Sequence, residues 1–193
     1  MTELSRLRAP VLVGSQAIHG AVEQVPESVT ASFEADFLLD HVAPSDLRAI
    51  GRELGAFSEY QDSTGTHADP VRRSILTLPR NWESRLQPLT DCGRDVALCL
   101  EPHDISVSKI AAGRDKDWTF IGECTVAGII DVPLLLKRCE AVPEHSRRLI
   151  VARNLKVLVE RLESGGVTVD PVLLARTLNC LERTDGDPSG RGS

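Results

Sequence analysis

The chain has 193 residues and a formal net charge of −6; 41% of its residues are hydrophobic and 4% are aromatic. This length suits one domain with an adequate core, and no apolar run is long enough to cross a membrane. The negative charge and the few aromatic side chains argue against a protein that binds long DNA or stacks many bases.

The five cysteines include no CxxC pair. An odd number without that spacing argues against a disulfide framework and against a zinc knuckle. We therefore expect reduced, mostly buried thiols. Because the segment of residues 1–10 is short and polar and contains no signal-peptide pattern, a cytoplasmic location is expected.

The first part of the chain alternates between predicted strands and helices. Residues 11–13 are an apolar run that predicts a buried strand ending at a turn, and residues 16–24 have helical character. Residues 32–39 alternate and then become apolar, which predicts a second strand. A helix is predicted over residues 44–54. Residues 55–70 are polar, rich in turn residues, and give no clear prediction.

The remainder is predicted to change from strands to helices. Further strands are expected over residues 73–78, 85–89 and 96–100. The apolar spacing and the Asp-Pro openings then predict five helices, over residues 103–112, 115–126, 131–140, 143–163 and 170–183. The sequence therefore predicts an α/β (α+β) fold with a helical C-terminal portion, in which residues 1–130 form the core, residues 131–183 pack as helices on the same domain, and residues 184–193 form a disordered tail.

Gly14 and Ser15 follow the first predicted strand and precede a helix. Backbone N–H groups at a helix start bind phosphate, and glycine lets the phosphate approach closely. A glycine after a strand is also common as a simple turn. The dipeptide by itself does not distinguish a phosphate site from a simple turn.

Glu34 and Asp36 lie two residues apart in a predicted strand, so their side chains share one face. Two carboxylates between apolar residues are unfavourable unless they are paired or bind a metal, and Mg²⁺ takes carboxylate oxygens together with substrate phosphates. The alternative is a strand face in contact with solvent.

The third candidate is the charged run that follows the helix from residue 103. Lys109 lies on that helix, and Arg114, Lys116 and Asp117 come directly after it. A lysine is suited to a nucleotide phosphate and an aspartate to metal binding or proton transfer. The same run is also typical of a solvated helix junction.

The segments VLVGSQAIHG, EADFLL and LEPHDISVSKIAAGRDKDWTF together resemble a bacterial nucleotidyltransferase family of the polymerase-beta-like superfamily. More narrowly, the chain is similar to uncharacterised proteins akin to the AbiEii-type toxins of toxin–antitoxin systems. The similarity covers about residues 11–130. It implies a nucleotidyltransferase-like mixed sheet with flanking helices.

The resemblance also implies roles for single residues. Gly14 and Ser15 would hold the triphosphate of an NTP, and Glu34 and Asp36 would hold Mg²⁺ or Mn²⁺. Lys109 would contact the nucleotide, and Asp117 would act as a base or as a neighbour of the metal. The third carboxylate that such enzymes carry on a later strand has no convincing match, since Asp95 and Glu101 are the only nearby acidic residues.

Two functions follow as expectations. The first is metal-dependent transfer of a nucleoside monophosphate from an NTP to an RNA end such as that of tRNA, to a protein hydroxyl or to a small molecule, in a protein that acts as a toxin and binds a cognate antitoxin. The second is a catalytically degraded relative that binds nucleotides or proteins. The missing third carboxylate is the reason for the second.

Overall fold

The computed structural model describes residues 10–22, 25–26, 29, 34–39, 42–91 and 94–184, without the side chains of residues 91, 94 and 95. Within these residues the fold is mixed α+β, with one sheet and seven α-helices. The predicted fold class is confirmed. Of the tail predicted over residues 184–193, residues 185–193 lie outside the described residues.

One mixed sheet of five strands holds the candidate residues of the first half of the chain. Its strands are β1 (Val11–Leu12), β2 (Glu34–Leu38), β3 (His67–Val71), β4 (Gln87–Asp91) and β5 (Arg94–Cys99), in the spatial order β3-β2-β1-β5-β4. β1 is antiparallel to β2 and parallel to β5. β2 and β3 are parallel, whereas β4 and β5 are antiparallel.

The middle of the sheet is apolar and buried. Leu12, Leu38 and Leu98 are each about 5% exposed. Beside them a 3-10 helix over Ser15–Gly20 buries Ala17 and Ile18 completely. A helix was predicted over residues 16–24; the structure has a shorter 3-10 helix, and residues 23–24 lie outside the described residues. This turn fixes Gly14 and Ser15 at the end of β1.

Two of the C-terminal α-helices begin at a capping aspartate. Asp131 Oδ1 accepts a hydrogen bond from Leu134 N at 2.8 Å, and Asp170 Oδ1 accepts one from Val172 N at 2.8 Å. Such caps satisfy N–H groups that have no partner within the helix. The helices are α1 (Pro44–Leu54), α2 (Glu59–Thr64), α3 (Pro102–Ala112), α4 (Asp115–Val126), α5 (Val132–Glu140), α6 (His145–Ser164) and α7 (Pro171–Glu182).

The described chain divides into two compact units. The first comprises the described residues up to Leu76 together with Asn81–Ile105, and therefore the whole sheet. The second comprises Thr77–Arg80 and the described residues from Ser106 onward. The domain boundaries predicted at residues 130 and 183 stay predictions.

The strand predicted over residues 73–78 is wrong. Arg73–Ile75 is a 3-10 helix, and Thr77–Arg80 belongs to the second unit. There Thr77 N donates to Ser108 Oγ, and Arg80 N donates to Ala141 O. The segment buries Leu78 in this way, without pairing as a strand. Its apolar residues therefore indicated burial correctly but not backbone geometry.

Residues 55–70, which gave no prediction, contain α2 and most of β3. Ser58 Oγ caps α2 by accepting a hydrogen bond from Gln61 N at 3.2 Å. Gly65 ends the helix with a φ of 74°, in the left-handed region that glycine adopts readily. This tight ending lets the chain enter β3 two residues later.

Candidate functional site

The carboxylate of Asp36 lies directly against the backbone of Gly14. A Cβ atom placed on Gly14 would overlap Asp36 Oδ2 and would lie 2.9 Å from Asp36 Cγ. Val13 N donates to Asp36 O at 2.9 Å, which holds the end of β1 beside this part of β2. The absence of a side chain at position 14 therefore allows the Asp36 carboxylate to lie this close to the backbone. The structure brings together the predicted turn and one of the two predicted carboxylates.

Four polar side chains share one face of the β2–β3 pair. Glu34 is the register partner of His67, and Asp36 is the register partner of Asp69. Register partners on parallel strands point to the same side of the sheet, and residues two apart do so as well. All four are half-buried. The face is therefore shielded in part from solvent while it remains accessible.

The donor set on this face suits a divalent cation. One ligand atom from each of Glu34, His67 and Asp69 lies within 4.8 Å of the other two. Carboxylate oxygens are the ligands that Mg²⁺ and Mn²⁺ accept, and an imidazole nitrogen suits transition metals. Asp36 adds a further carboxylate beside Asp69. These residues fit a divalent metal.

Asp69 and His67 were not among the residues predicted from the sequence. Asp69 stands on β3, where it is the register partner of Asp36 on β2. Pro70 follows it directly, and proline within a polar run argues against a central strand. β3 is an edge strand, where proline is tolerated. The alternation His67, Asp69, Val71 was the available signal.

The two acidic residues considered from the sequence have different outcomes. Glu101 caps α3, because its carboxylate accepts hydrogen bonds from His103 N and Asp104 N at 3.2 and 3.3 Å. Its other oxygen contacts His103 Nδ1. The side chain of Asp95 lies outside the described residues. Glu101 thus has a structural role in starting the helix.

Asp104, three residues after Glu101, is buried. Its two oxygens accept hydrogen bonds from Arg85 Nε and Nη2 at 2.8 and 3.0 Å, and the side chain is fully buried. A bidentate pair of this kind holds both side chains in one geometry. The Pro-His-Asp sequence therefore anchors the start of α3 to the segment before β4.

Lys109 and Asp117 pair with each other inside the second unit. Lys109 Nζ lies 3.1 Å from Asp117 Oδ1 and 4.4 Å from the centroid of the Phe120 ring. Asp117 is fully buried, and Arg114 Nε donates to its Oδ2 at 2.7 Å. The predicted lysine and aspartate are thus neighbours. The roles predicted for them toward a nucleotide stay predictions.

Burial and charge act against each other in this pair. Burial lowers the pKa of Lys109; Asp117 opposes that shift only in part, and the positive charges of Arg114 and Lys116 add to it. Burial would raise the pKa of Asp117, but the hydrogen bond from Arg114 and the charge of Lys109 outweigh it, so that the pKa falls below its ordinary value. Asp117 is consequently a weak base.

The buried cysteines are not suited to nucleophilic chemistry. Burial raises the pKa of Cys99 to about 11 and that of Cys124 and Cys139 to about 12. A thiol reacts as the thiolate, which is scarce at neutral pH for such values. Cys92 lies outside the described residues. The expectation of buried thiols is met by these three cysteines, and Cys180 is half-buried.

Comparison with known proteins identifies a family of which this chain is a member. A family model described as "Nucleotidyltransferase of unknown function (DUF6036)" matches residues 2–161, which is most of the chain. Among curated proteins and among solved structures, nothing matches significantly. Within the part of the chain that the structure describes, no helix is both long and apolar enough to cross a membrane.

Proposed function

The chain belongs to this family of nucleotidyltransferases of unknown function, and from that premise we propose that it transfers a nucleoside monophosphate from an NTP to an acceptor hydroxyl in a reaction that requires Mg²⁺ or Mn²⁺. One observation carries the proposal. Asp36 and Asp69 are register partners on adjacent strands, with Glu34 on the same face and Gly14 in contact with Asp36.

Three carboxylates would hold the cation, those of Glu34, Asp36 and Asp69. When bound, a divalent cation neutralises phosphate charge and stabilises the pyrophosphate leaving group. Gly14 and Ser15 stand at the start of the 3-10 helix beside Asp36 and would bind the triphosphate. The close contact between Gly14 and Asp36 supports a shared location for phosphate and carboxylate.

The reaction requires only a few contributions from the protein. The acceptor oxygen forms a bond to the α-phosphorus, the bond from that phosphorus to the bridging oxygen breaks, and pyrophosphate leaves. The acceptor hydroxyl loses its proton to a base. Asp117 is poorly suited to that role, because it is fully buried against two cationic groups.

The acceptor is the finer part of the proposal. The resemblance to AbiEii-type toxins favours an RNA end such as that of tRNA, and it implies a cognate antitoxin as partner. A protein hydroxyl or a small molecule are the other acceptor classes. Label incorporated into purified tRNA would identify the RNA acceptor, whereas label in protein or in the small-molecule fraction would identify one of the other two.

The alternative of a degraded active site depended on the missing third carboxylate. Asp69 supplies a carboxylate on the adjacent strand, so that this reason no longer favours the alternative. A degraded protein would bind nucleotide without turnover. The same experiment therefore separates the two functions.

The test is transfer of label from each α-³²P-labelled NTP, with Mg²⁺ or Mn²⁺, in the presence and absence of total RNA. We expect label transfer by the wild type and its loss in Asp36→Asn and Asp69→Asn. Glu53→Gln on α1 is the matched control, since Glu53 is an exposed acid outside the site. Transfer that persists in both Asp variants would show that another site is responsible, and nucleotide binding without transfer would favour the degraded alternative.

A further inference from the structure

A series of polar contacts leads from α2 to the candidate metal site. Phe57 N–H donates to Gln61 Oε1 at 2.6 Å. Gln61 Nε2 lies 3.3 Å from His67 Nδ1. The other ring nitrogen of His67, Nε2, lies 3.7 Å from Asp69 Oδ2. The imidazole is thus placed between an amide and a candidate metal ligand.

The position of Gln61 follows from how α2 begins. Ser58 is the cap residue and Gln61 stands three residues later, which is the Ser-x-x-Gln spacing of a capping box. The amide oxygen reaches the N–H of the residue before the cap, Phe57. That residue has a φ of 65°, which is uncommon for a bulky side chain. The first turn of the helix therefore fixes the Gln61 amide.

These contacts determine which end of the amide faces the histidine. A backbone N–H can only donate, so the atom of Gln61 that meets Phe57 must be the carbonyl oxygen. The NH₂ group then faces His67, and NH₂ can also only donate. His67 Nδ1 must therefore accept, and in the neutral ring the proton lies on Nε2. This nitrogen is the one that faces Asp69.

We propose that Gln61 holds His67 as the Nε2–H tautomer, so that the imidazole turns its N–H toward Asp69 and is withheld from the metal. A protonated ring nitrogen has no lone pair to bind a cation. The cation would then be held by carboxylate oxygens alone, from Glu34, Asp36 and Asp69. Such a set favours Mg²⁺ or Mn²⁺, whereas an available imidazole would favour Zn²⁺. Gln61 and His67 are positioning residues that set metal preference.

The proposal rests on the proposed function only in taking the bound cation to be the one used in nucleotidyl transfer. The tautomer itself can be measured without nucleotide or turnover. The first experiment is a long-range ¹H–¹⁵N correlation spectrum of the full chain labelled with ¹⁵N-histidine, at about pH 8, where free imidazole is neutral. His67→Asn identifies the His67 signals among those of the five histidines.

We expect the wild type to carry the His67 proton on Nε2. In Gln61→Glu a carboxylate replaces the amide with nearly the same shape, accepts from the Phe57 N–H and also accepts from Nδ1, so that the proton moves to Nδ1. A wild-type spectrum with the proton on Nδ1 would overturn the proposal. The wild-type spectrum alone reports the tautomer of His67, so the proposal can be tested even if Gln61→Glu does not fold.

The second experiment titrates the protein with Mg²⁺ and with Zn²⁺ by calorimetry. We expect the ratio of Zn²⁺ to Mg²⁺ affinity to rise by about tenfold or more in Gln61→Glu, as is usual when groups behind a ligand change. The double variant Gln61→Glu/His67→Asn retains the added charge but lacks the imidazole, and the rise should vanish. A raised affinity ratio in the double variant would contradict the proposal. A loss of Zn²⁺ affinity in the single variant His67→Asn would also contradict it.

The two proposals fail in different ways. Loss of label transfer in Asp36→Asn tests the nucleotidyltransferase function, whereas the His67 tautomer and the metal ratio test the role of Gln61. A protein with no transferase activity but an Nε2–H tautomer and a Gln61-dependent metal ratio would refute the first proposal and leave the second supported.

Discussion

Asp36 occupies the space that a side chain at position 14 would need. A Cβ on Gly14 would overlap Asp36 Oδ2, and Asp36 Cγ would be 2.9 Å away. The turn after β1 and the carboxylate on β2 are therefore in van der Waals contact through a glycine. This relationship links the two motifs that the sequence could only place on separate elements.

Gly14→Ala should displace the Asp36 carboxylate while the protein remains folded, because the overlapping atoms are at the end of a side chain that can rotate. A shift of about 1 Å in a catalytic group reduces activity on the order of 100-fold. We expect a loss of that size in label transfer, with an unchanged circular dichroism spectrum. Gly122→Ala is the control, since a Cβ there meets nothing within 4 Å. On α4 it should increase stability by about 0.5–1 kcal/mol. Equal label transfer by Gly14→Ala and Gly122→Ala would show that the contact between Gly14 and Asp36 is not needed for activity.

Asp69→Asn should weaken Mg²⁺ binding as strongly as Asp36→Asn does. Asp36 and Asp69 are register partners on the same face. Each variant therefore removes one carboxylate from the same set of candidate ligands. Calorimetric titration with Mg²⁺ measures the effect directly and does not depend on the acceptor. Glu53→Gln should bind Mg²⁺ like the wild type. If Asp69→Asn bound Mg²⁺ normally, Asp69 would lie outside the metal site.

Asp117→Asn should reduce stability at neutral pH and flatten its dependence on acid. The variant leaves the Lys109 ammonium buried without its carboxylate, and removing one partner of a buried pair lowers the free energy of unfolding by about 3–5 kcal/mol. Urea denaturation at neutral pH measures this loss. A decrease below about 1 kcal/mol would contradict the importance of the pair.

The acid dependence follows from the lowered pKa of Asp117. The folded carboxyl has a pKa below its ordinary value of 3.8, so the unfolded chain binds the proton more readily. The stabilisation is therefore complete above about pH 5 and is lost as the pH falls through 3.8 toward the folded pKa. The variant lacks this loss. Asp115→Asn, whose side chain is 89% exposed, is the control and should follow the wild type. Parallel curves for wild type and Asp117→Asn would refute the pKa shift.

Thiol reactivity tests the burial of the cysteines. In a Cys92→Ser background, a chromogenic disulfide reagent should react with Cys180 in the folded protein, because Cys180 is half-buried. Cys99, Cys124 and Cys139 should react only after denaturation, since burial keeps their thiols protonated. Adding Cys180→Ser should abolish the reaction of the folded protein. Rapid reaction in that double variant would show that one of the buried thiols is accessible.

Much of the fold could be predicted because its signals are local. Pro44, Asp131 and Asp170 mark helix starts through their own chemistry, and the helices are found at these places. The prediction of a strand over 73–78 was wrong because Leu78 is buried in a segment that is held by backbone hydrogen bonds to distant residues, Ser108 and Ala141. No local pattern reports that kind of burial.

The candidate site divides in the same way. The period of two in β2 correctly placed Glu34 and Asp36 on one face. His67 and Asp69 were missed because Pro70 and the polar residues around them weaken the strand signal, and because α2 and β3 are short. The contact between Gln61 and His67 could not be predicted either. The Ser-x-x-Gln spacing indicates a helix start, but it does not show that the NH₂ group of Gln61 meets His67.

The sequence by itself determined the α+β class, most helix starts and the shared face of Glu34 and Asp36. Periodicity and capping depend on neighbours a few residues away, so the residues themselves report them. Only the tertiary structure decided that β3 pairs in parallel with β2, in the register that sets Asp69 beside Asp36, and that Gly14 touches Asp36. A shift of one residue would turn Asp69 to the opposite face. Register depends on packing between segments far apart in the chain, and that packing exists only in the folded protein.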